Sequence, residues 1–502
     1  MNRLVLLCAC VIAILALSCT PGEPLVAEKN IVLLPVKNDP TINIRVWFKV
    51  GSQNDPEGKE GLTALTAQML GDASTAANAY ETIIEKLYPL AAWYGASSSM
   101  EMTVLSGRTH RDNIEEFYPL LRDALLKPAF VETDLERIRS QSLNYLENVL
   151  RYASDEELGK AVLYADIFAG TPYRKPAATV ASLKSITLED IRAHYTKYFT
   201  RDNLVIGLGG SYDEALLKRL RTDLAMLAPG APPEVPPPAP APVKGFSVTI
   251  VEKDAPATAL SMGFPIDILR GSKGWYALAV ANSWLGEHRN SSSHLYQVIR
   301  EERGLNYGDY SYIEHYPNGG QRSKPPQNVS RRRQLLEIWI RPVPNATRHF
   351  ALRAALREFK KLVDNGLTEG EFTLTRNFLR KYVLHYAPTT MERLGYALDD
   401  RFYGIDGSHL EMFRKAMDEL TVADVNAAIK KYWQFGDMHI AAVTGDAAGF
   451  RDALVNDTPS PITYATPKPA EVLEEDKAIQ AFPLKVNPDK IKIVKVEELF
   501  AK

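Results

Sequence analysis

The chain has almost no cysteine, and this limits the fold classes it can adopt. All three cysteines, Cys8, Cys10 and Cys19, lie within the first nineteen residues. A disulfide-stapled fold is therefore excluded for the rest of the chain. The formal net charge of −2 provides no general attraction for nucleic acid or for an anionic membrane surface. No pair among the nine histidines has metal-ligand spacing on one helix face; His288 and His294 are six apart.

The N-terminus has the pattern of an export signal. Arg3 precedes the apolar run from Leu4 to Leu17, which is shorter than the roughly 20 residues of a membrane span. The run ends in Ala16-Leu17-Ser18-Cys19, which resembles the lipobox of bacterial lipoproteins. We therefore expect residues 1–18 to be a signal peptide and Cys19 to be lipidated. Thr20, in place of aspartate, favours an outer-membrane lipoprotein facing the periplasm; a plain cleaved signal peptide is the alternative.

A proline-rich segment divides the remaining chain. At 502 residues the chain is too long for a single hydrophobic core. Residues 229–243 read PGAPPEVPPPAPAPV, a composition that favours an extended, semi-rigid linker. The predicted parts are an N-terminal domain at 19–228, the linker at 229–243, a C-terminal domain at 244–458 and an extension at 459–502.

The two domains repeat one pattern. The segment from Ser185 through Lys197-Tyr198-Phe199 matches the segment from Glu419 through Lys431-Tyr432-Trp433 without a gap. Thr187 with Asp190, and Thr421 with Asp424, predict the same helix cap in each copy. Leu70-Gly71 corresponds to Leu285-Gly286. The number of residues that separates matching positions is larger at the end of the two halves than at their start. This difference predicts an insertion in the second half, at 318–333.

Strand and helix periodicities alternate within each half. Residues 42–50 alternate apolar and polar as a half-buried strand, and residues 490–496 form a later strand-like run. Thr133-Asp-Leu-Glu136 predicts the cap of a helix to about 152, and Thr368 with Glu371 the cap of a helix to about 385, after a stop at Gly366. The predicted fold class is α+β, with tandem duplicated two-layer domains that each pack helices on one face of a mixed sheet.

Residues 46–70 read VWFKVGSQNDPEGKEGLTALTAQML. This segment resembles the opening of the pitrilysin/insulinase (inverzincin) metallopeptidases, whose active members carry H-x-x-E-H on the helix after Gly-Leu, two zinc-binding histidines flanking the general base. Matching positions place Ala64, Ala67 and Gln68 at this motif, and Tyr145 at the later zinc-binding glutamate. The resemblance therefore implies a processing-peptidase-like fold whose metal site is degenerate, with no zinc in this chain.

A second motif of the same family is intact. Residues 300–307 read REERGLNY and match R-E-x-x-G-L-x-Y, with the arginine at Arg300 and the tyrosine at Tyr307. In active two-domain members this pair faces the zinc site and contacts the substrate. Arginine offers a planar fork of donors, and a tyrosine hydroxyl can donate to a developing oxyanion. The same residues could also be a solvated helix arginine and a strand tyrosine.

The resemblance implies a division of labour between two chains. Some relatives, including mitochondrial processing peptidase, place H-x-x-E-H in one subunit and the Arg–Tyr pair in the other. The favoured hypothesis is a non-catalytic, peptide-binding subunit, inactive alone, whose homologous partner carries the zinc. The alternatives are a stand-alone peptide-binding or scaffold lipoprotein, and an active peptidase with an unrecognised metal site.

Two further features, an arginine triplet and a group of three tyrosines, can each be interpreted in more than one way. Arg331, Arg332 and Arg333 form a basic loop, for which a solvated surface is favoured over steering of an acidic peptide or of the partner. Tyr310, Tyr312 and Tyr316 are expected on one strand face, where they line a peptide chamber or fill the second core.

Overall fold

Two mixed β-sheets organise the chain, one in each half. The computed structural model describes residues 25–174 and 178–501. The first sheet has the order β1-β5-β2-β4-β3. Its strands are β1 Ile31–Pro35, β2 Thr41–Phe48, β3 Trp93–Ser98, β4 Thr103–His110 and β5 Leu204–Gly210. The helices of this half are α1 Leu62–Gly71, α2 Tyr80–Leu87, α3 Ile114–Leu126, α4 Glu132–Asn144, α5 Asp155–Ile167, α6 Val180–Ser185, α7 Leu188–Tyr198 and α8 Glu214–Leu224.

The second sheet has the order β11-β6-β10-β7-β9-β8. Its strands are β6 Phe246–Glu252, β7 Ala257–Ile266, β8 Asp309–Tyr312, β9 Gln334–Pro344, β10 Met438–Thr444 and β11 Ile491–Lys495. The helices of this half are α9 Lys273–Gly286, α10 Arg348–Asn365, α11 Glu369–Tyr382, α12 Thr390–Tyr403, α13 His409–Glu419, α14 Val422–Tyr432, α15 Ala447–Asn456 and α16 Ala470–Gln480.

The duplication predicted from the sequence is confirmed by this topology. Removing β11 from the second sheet leaves an order that repeats the first, with one parallel pair and three antiparallel pairs in each. The repeated Leu-Gly pair ends α1 and α9. A Cβ at Gly71 would lie 2.4 Å from the Ala96 nitrogen, and one at Gly286 would lie 2.6 Å from the Ser311 nitrogen. Glycine therefore permits the same close approach of helix to edge strand in both halves.

The halves differ mainly at the connection between their last two antiparallel strands. Residues 99–102 join β3 to β4, whereas residues 313–333 join β8 to β9. The longer connection contains the predicted insertion at 318–333. It extends toward the N-terminal half, where the Asn328 side chain receives a hydrogen bond from Arg45.

Each sheet is also covered by a helix from the opposite half. Helix α5 of the first half packs on β7 and β10 of the second sheet, and α12 of the second half packs on β5, β1 and β2 of the first. Gly207 and Gly209 make room for α12, because Cβ atoms there would lie 3.3 Å from Leu394 and 3.1 Å from Thr390. The two halves therefore share their packing: the core centred on the N-terminal half also contains residues of the second sheet, namely Val251, Ala259, Leu335, Ala441 and Val443.

The C-terminal extension joins both halves. Strand β11 pairs in parallel with β6 of the second sheet. The residues after it return to the first half, where the Phe500 carbonyl accepts from the Val180 amide at 2.8 Å and the Leu499 carbonyl accepts from Arg151 Nε at 3.0 Å. The linker at 229–243 has no regular secondary structure.

Most predicted helix boundaries agree with the structure, and one cap does not. Capping boxes form at Thr187, Thr421 and Thr368, and Gly366 follows α10 with φ +70°. The cap predicted at Thr133 is wrong, because α4 begins at Glu132 after an uncapped Val131. After Asn144 the helix continues as a π-helical segment, Tyr145–Ala153.

The repeated caps allow a matched test of local stability. Thr187→Ala and Thr421→Ala each remove a hydroxyl that accepts the amide of the third helical residue, at 3.2 Å in both copies. Each change is expected to lower the free energy of unfolding by about 1 kcal/mol. Urea denaturation of the two variants measures the loss. A Thr196→Ala variant on the exposed face of α7 serves as the control and should stay within about 0.5 kcal/mol of the parent.

Candidate functional site between the two halves

A large cavity lies between the two halves. Its volume is about 670 Å³. Helix α1, the end of β3, the π-helical segment and α5 form its N-terminal walls, and the long β8–β9 connection forms the opposite wall. The residues contributed by that connection are His315, Pro317, Asn318, Arg322, Asn328 and Val329. The insertion in the second half therefore helps to build the site.

The start of α1 is held by a local hydrogen-bond network. The Asp55 carboxylate accepts from the Gly61 and Thr63 amides, both at 2.8 Å, and from the Thr63 hydroxyl at 2.5 Å. The Thr63 hydroxyl also lies 2.9 Å from His194 Nε2. Gly61 has φ +98°, a conformation that glycine adopts at little cost. These contacts fix which face of α1 is directed at the cavity.

Two of the three α1 positions named by the sequence line the cavity. Ala64 and Gln68 are lining residues, whereas Ala67 is buried at 1% exposure and is not. Leu62, Leu65 and Met69 are buried in the first core, as their spacing predicts. Ala67 therefore lies outside the cavity lining, although helical spacing places it on the same side of α1 as Ala64 and Gln68.

Tyr145 lies at the same cavity, on the helical arm that follows α4. The Ser142 hydroxyl, one turn earlier, is 3.5 Å from Gln68 Oε1. Tyr145 itself is 46% exposed, and burial of the remainder raises the pKa of its hydroxyl. The structure thus brings together three of the four positions matched to the family's metal site, which the sequence separates by 81 residues between Ala64 and Tyr145.

The side chains at these positions do not fit a zinc ion. Zinc in peptidases takes nitrogen or carboxylate ligands at about 2.0–2.2 Å, and the cavity offers a methyl group, a neutral amide and a phenol instead. Over residues 25–174 and 178–501 no group of three or more His, Cys, Asp or Glu side chains is arranged to hold a metal. The scaffold of the site is present without its donors.

The Arg–Tyr pair lies elsewhere. Arg300 belongs to the π-helical turn Tyr296–Glu301, where it pairs with Glu301 and lies 5.1 Å from the Tyr296 ring centre. Tyr307 is 79% exposed. It lies in the loop before β8, so the expectation of a strand from Tyr307 is wrong by two residues. Neither residue lines the cavity between the halves.

A buried ionic cluster lies beside the cavity and was not predicted. Lys160 of α5 bonds to the Tyr316 carbonyl at 2.7 Å and lies 3.5 Å from the Trp339 ring centre. Tyr164 donates to Glu337 of β9 at 2.6 Å. Burial lowers the pKa of Lys160 and raises that of Glu337, and nearby opposite charges oppose both shifts. No local pattern indicated this cluster, because its members come from distant segments.

The arginine triplet is not a solvated loop, which corrects the favoured interpretation. Arg331 is completely buried, bonds to Gln334 at 2.9 Å and lies 3.6 Å from Glu337. Arg332 bonds to Glu101 at 2.7 Å, across the interface of the halves. Arg333 donates to the Pro238 carbonyl in the linker at 3.1 Å. The triplet ties the second half to the linker and the first half.

The three tyrosines were left with two interpretations. Tyr310, Tyr312 and Tyr316 are buried in one cluster with Trp339. None of them lines the cavity between the halves. They therefore pack in the interior, and His288 bonds to the Tyr312 hydroxyl at 2.6 Å within the same cluster.

A duplicated α+β fold with a peptidase-like but donor-free metal site defines a class: a non-catalytic relative of the inverzincin peptidases. Comparison with known families agrees. Residues 31–179 match the family model described as Insulinase (Peptidase family M16), and residues 185–379 match Peptidase M16 inactive domain. Together the two matches cover more than half of the chain. The chain belongs to the insulinase family.

Similar proteins occur in several bacteria. The Helicobacter pylori protein described as non-peptidase homolog YmxG is 24% identical over 429 residues, covering 84% of this chain and 91% of its own length. A Mycobacterium tuberculosis protein described as an uncharacterized zinc protease is 23% identical and covers 77% of this chain and 85% of its own. Relatives of this chain therefore carry both peptidase and non-peptidase descriptions.

Solved structures share the fold. A Pseudomonas fluorescens structure described as a peptidase M16 inactive domain has a TM-score of 0.71 at 24% identity, covering 82% of this chain and 94% of its own. A Helicobacter pylori structure described as a protease has a TM-score of 0.68 at 17% identity, covering 82% and 96%. The predicted fold class is confirmed.

No helix within residues 25–174 and 178–501 combines the length and apolar character of a membrane-spanning segment. The predicted signal peptide and the lipidation site Cys19 lie outside the described residues.

Proposed function

We propose that this chain is the non-catalytic, peptide-binding subunit of a two-chain zinc peptidase of the insulinase type. A homologous partner that carries H-x-x-E-H would hold the zinc. The observation that carries the proposal is the cavity of about 670 Å³, in which the family's metal-site scaffold survives without zinc-binding side chains at Ala64, Gln68 and Tyr145. A cavity that lacks the zinc ligands and the general base is consistent with a protein that binds peptide while another chain cleaves it.

The edge of the first sheet supports peptide binding. Strand β3 is the last strand of that sheet, so one side of its backbone is free to pair with an added strand. Ser97, Ser98 and Ser99, at the end of β3, line the cavity. An extended peptide paired with β3 would therefore enter the cavity, and its alternate side chains would be directed into it.

The exposure of the Arg–Tyr pair supports a role toward another chain. Tyr307 is 79% exposed, and none of its side-chain atoms is hydrogen-bonded to another described residue. The Arg300 side chain is 36% exposed and its described ion pair is with the neighbouring Glu301. Tyr307 can turn toward a partner's active site, and Arg300 can do so by exchanging its ion pair with Glu301; there the guanidinium would bind a substrate carbonyl and the phenol an oxyanion.

An exposed apolar stripe supports a partner at the mouth of the cavity. Tyr145, Val149 and Tyr152 recur at helical spacing along the π-helical segment and are 46%, 39% and 48% exposed. Aromatic side chains are enriched in the buried centres of protein interfaces. We further propose that the partner covers this stripe, and that both chains are held at the outer membrane by the lipid on Cys19.

The test is reconstitution with a homologue that carries H-x-x-E-H. The mature chain alone is expected to leave a fluorescence-quenched peptide library uncleaved, whereas the two-chain complex cleaves it. Arg300→Ala is expected to lower kcat/KM of the complex by about 10–10²-fold, because a hydrogen bond from a charged group to the substrate carbonyl contributes about 1.5–3 kcal/mol. Arg414→Ala, an exposed arginine on α13, is the matched control and should leave kcat/KM unchanged.

Three results would contradict parts of the proposal. Cleavage by the isolated chain would exclude a non-catalytic role. An Arg300→Ala complex as active as the parent would remove the Arg–Tyr pair from the site. Peptide binding by the isolated chain, with no affinity for any H-x-x-E-H homologue, would favour the stand-alone binding lipoprotein.

A further inference from the structure

A second, smaller cavity lies inside the C-terminal half, among α9, α11, α12 and α13. Its volume is about 80 Å³, roughly half that of an engineered cavity of about 150 Å³ that binds benzene. Pro325 of the long β8–β9 connection also borders it. Its walls are mainly aromatic, and the rings that contribute are Trp275, Tyr312, Tyr316, Tyr386, Tyr396 and Phe413.

One wall of this cavity is an acidic side chain with no counter-ion. Glu287 follows the last residue of α9 and is 9% exposed. Within the described parts of the chain no lysine, arginine or histidine forms an ion pair with it. Burial raises the pKa of its carboxyl to about 7. An unpaired carboxylate is costly to bury, and a bound cation would offset that cost.

A hydrogen bond from the Ser283 side chain lowers the pKa of Glu287 against the effect of burial, but among the described residues no positive charge beside Glu287 balances its own. Four tyrosines, Tyr312, Tyr316, Tyr382 and Tyr386, are the titratable groups whose hydroxyl pKa values its charge raises. Each of these hydroxyls is neutral near pH 7, because burial is the first cause of its raised pKa. The adjacent His288 is also neutral there, since burial lowers its pKa to about 4.

Among the described residues that line the cavity, Arg270 is the one lysine or arginine, and acidic side chains already neutralise its charge. Arg270 donates to Glu314 through Nε at 3.2 Å and Nη2 at 2.6 Å, and its Nη1 lies 3.8 Å from Asp399. Four side-chain atoms of lining residues are buried without a hydrogen-bond partner among the described residues: Asn282 Oδ1, Trp275 Nε1, Arg270 Nη1 and the Tyr396 hydroxyl. The side-chain amide oxygen of Asn282 is thus a second acceptor, besides the Glu287 carboxyl, on the lining of this cavity.

We propose that this cavity binds the ammonium group of a small organic amine. Glu287 supplies the negative charge, Asn282 Oδ1 accepts a hydrogen bond, and the tyrosine and tryptophan faces surround the cation, an arrangement that attracts ammonium groups through the ring quadrupoles. The volume admits about three heavy atoms by comparison with the benzene cavity. The ligand is therefore a short amine or the ammonium end of a longer one.

Ethylammonium is the probe, and ethanol is its neutral counterpart of equal heavy-atom count. Saturation-transfer NMR on the mature chain at pH 8 is expected to give a dissociation constant near 1 mM for ethylammonium, close to the limit for so small a ligand. Ethanol is expected to bind at least about tenfold more weakly. Because Glu287 must be ionised, ethylammonium affinity should fall about tenfold between pH 8 and pH 6.

Two variants separate the site from the fold. Glu287→Gln is expected to weaken ethylammonium at least about tenfold and to fold normally, because a neutral amide is cheaper to bury than a carboxylate. Ala279→Val narrows the cavity while keeping the carboxyl, and should also weaken binding. Glu411→Gln, exposed on α13, is the control. Equal binding of ethylammonium and ethanol, no effect of Glu287→Gln, or no pH dependence would each overturn the proposal.

Discussion

The triple variant Ala64→His/Gln68→His/Tyr145→Glu is expected to bind one zinc ion per chain, whereas the parent chain is expected to bind none stoichiometrically. Residues 64 and 68 lie one turn apart on the cavity face of α1, and Tyr145 borders the same cavity. Two histidines and a glutamate so placed form a three-ligand zinc site. The expected binding free energy is near 10 kcal/mol, the lower end for structural zinc sites.

The measurement is metal content by mass spectrometry after dialysis against a weak chelator. The matched control is Ala64→His/Gln68→His/Tyr152→Glu, which places the same glutamate two turns further along the π-helical segment, away from the cavity lining. That control should bind zinc at least about tenfold more weakly, since one ligand is lost. Stoichiometric zinc in the parent chain, or equal affinity in both triple variants, would refute the assignment of positions 64, 68 and 145.

Ala67 separates zinc binding from catalysis in this experiment. The family places its general base at this position, and Ala67 is buried at 1% exposure. The triple variant lacks this base and is therefore expected to remain unable to cleave peptides. A glutamate introduced at position 67 would have to displace packed neighbours to reach the cavity. Restoring the general base is therefore expected to lower stability more than restoring the zinc ligands at 64, 68 and 145.

The Arg331→Met variant is expected to lose about 3–5 kcal/mol of unfolding free energy. Arg331 is fully buried between Glu337 at 3.6 Å and the rings of Tyr164 and Phe168, whose centres lie 5.3 Å and 5.8 Å from its guanidinium carbon. Removing Arg331 takes away the stronger of the two positive charges that stabilise the buried Glu337 carboxylate and leaves Lys160 as the other, which makes the change costly. Urea denaturation followed by circular dichroism measures the loss.

Two comparison variants, a single and a double substitution, make this prediction specific. Arg333→Met, in the same triplet, removes an ion pair to Asp267, whose side chain is 87% exposed, and should cost at most about 1 kcal/mol. The double variant Arg331→Met/Glu337→Gln removes both charges and is expected to recover most of the loss. Equal effects of Arg331→Met and Arg333→Met would show that the triplet is solvated after all.

The local features of the fold were predictable because their causes are local. The caps at Thr187, Thr368 and Thr421 each depend on residues three positions apart, and the stop at Gly366 depends on one left-handed residue. The cap predicted at Thr133 does not form: α4 begins at Glu132, and Asp134, its third residue, accepts from the Ser74 amide at 2.8 Å.

The candidate site was predictable only where a motif spans it. Residues 46–70 and the distance to Tyr145 led to three residues that share the cavity. The long β8–β9 connection was recognised as an insertion, but nothing in its sequence shows that it forms a wall of the site. Lys160, Tyr164 and Glu337 meet because α5 packs on the second sheet. Hydrophobic periodicity predicts which face of a helix is buried, but it does not predict which part of the chain that face packs against.

The exchange of α5 and α12 has a consequence for how such a protein can be divided. Each sheet, taken with only the helices of its own half, lacks one of its covers and presents bare apolar strands to water. A cut in the extended linker at 229–243 would sever the backbone and leave both exchanged helices in place. The linker therefore divides the chain into two halves in sequence, but it does not divide the protein into two folding units. Because α5 and α12 are exchanged, the two halves are expected to unfold together.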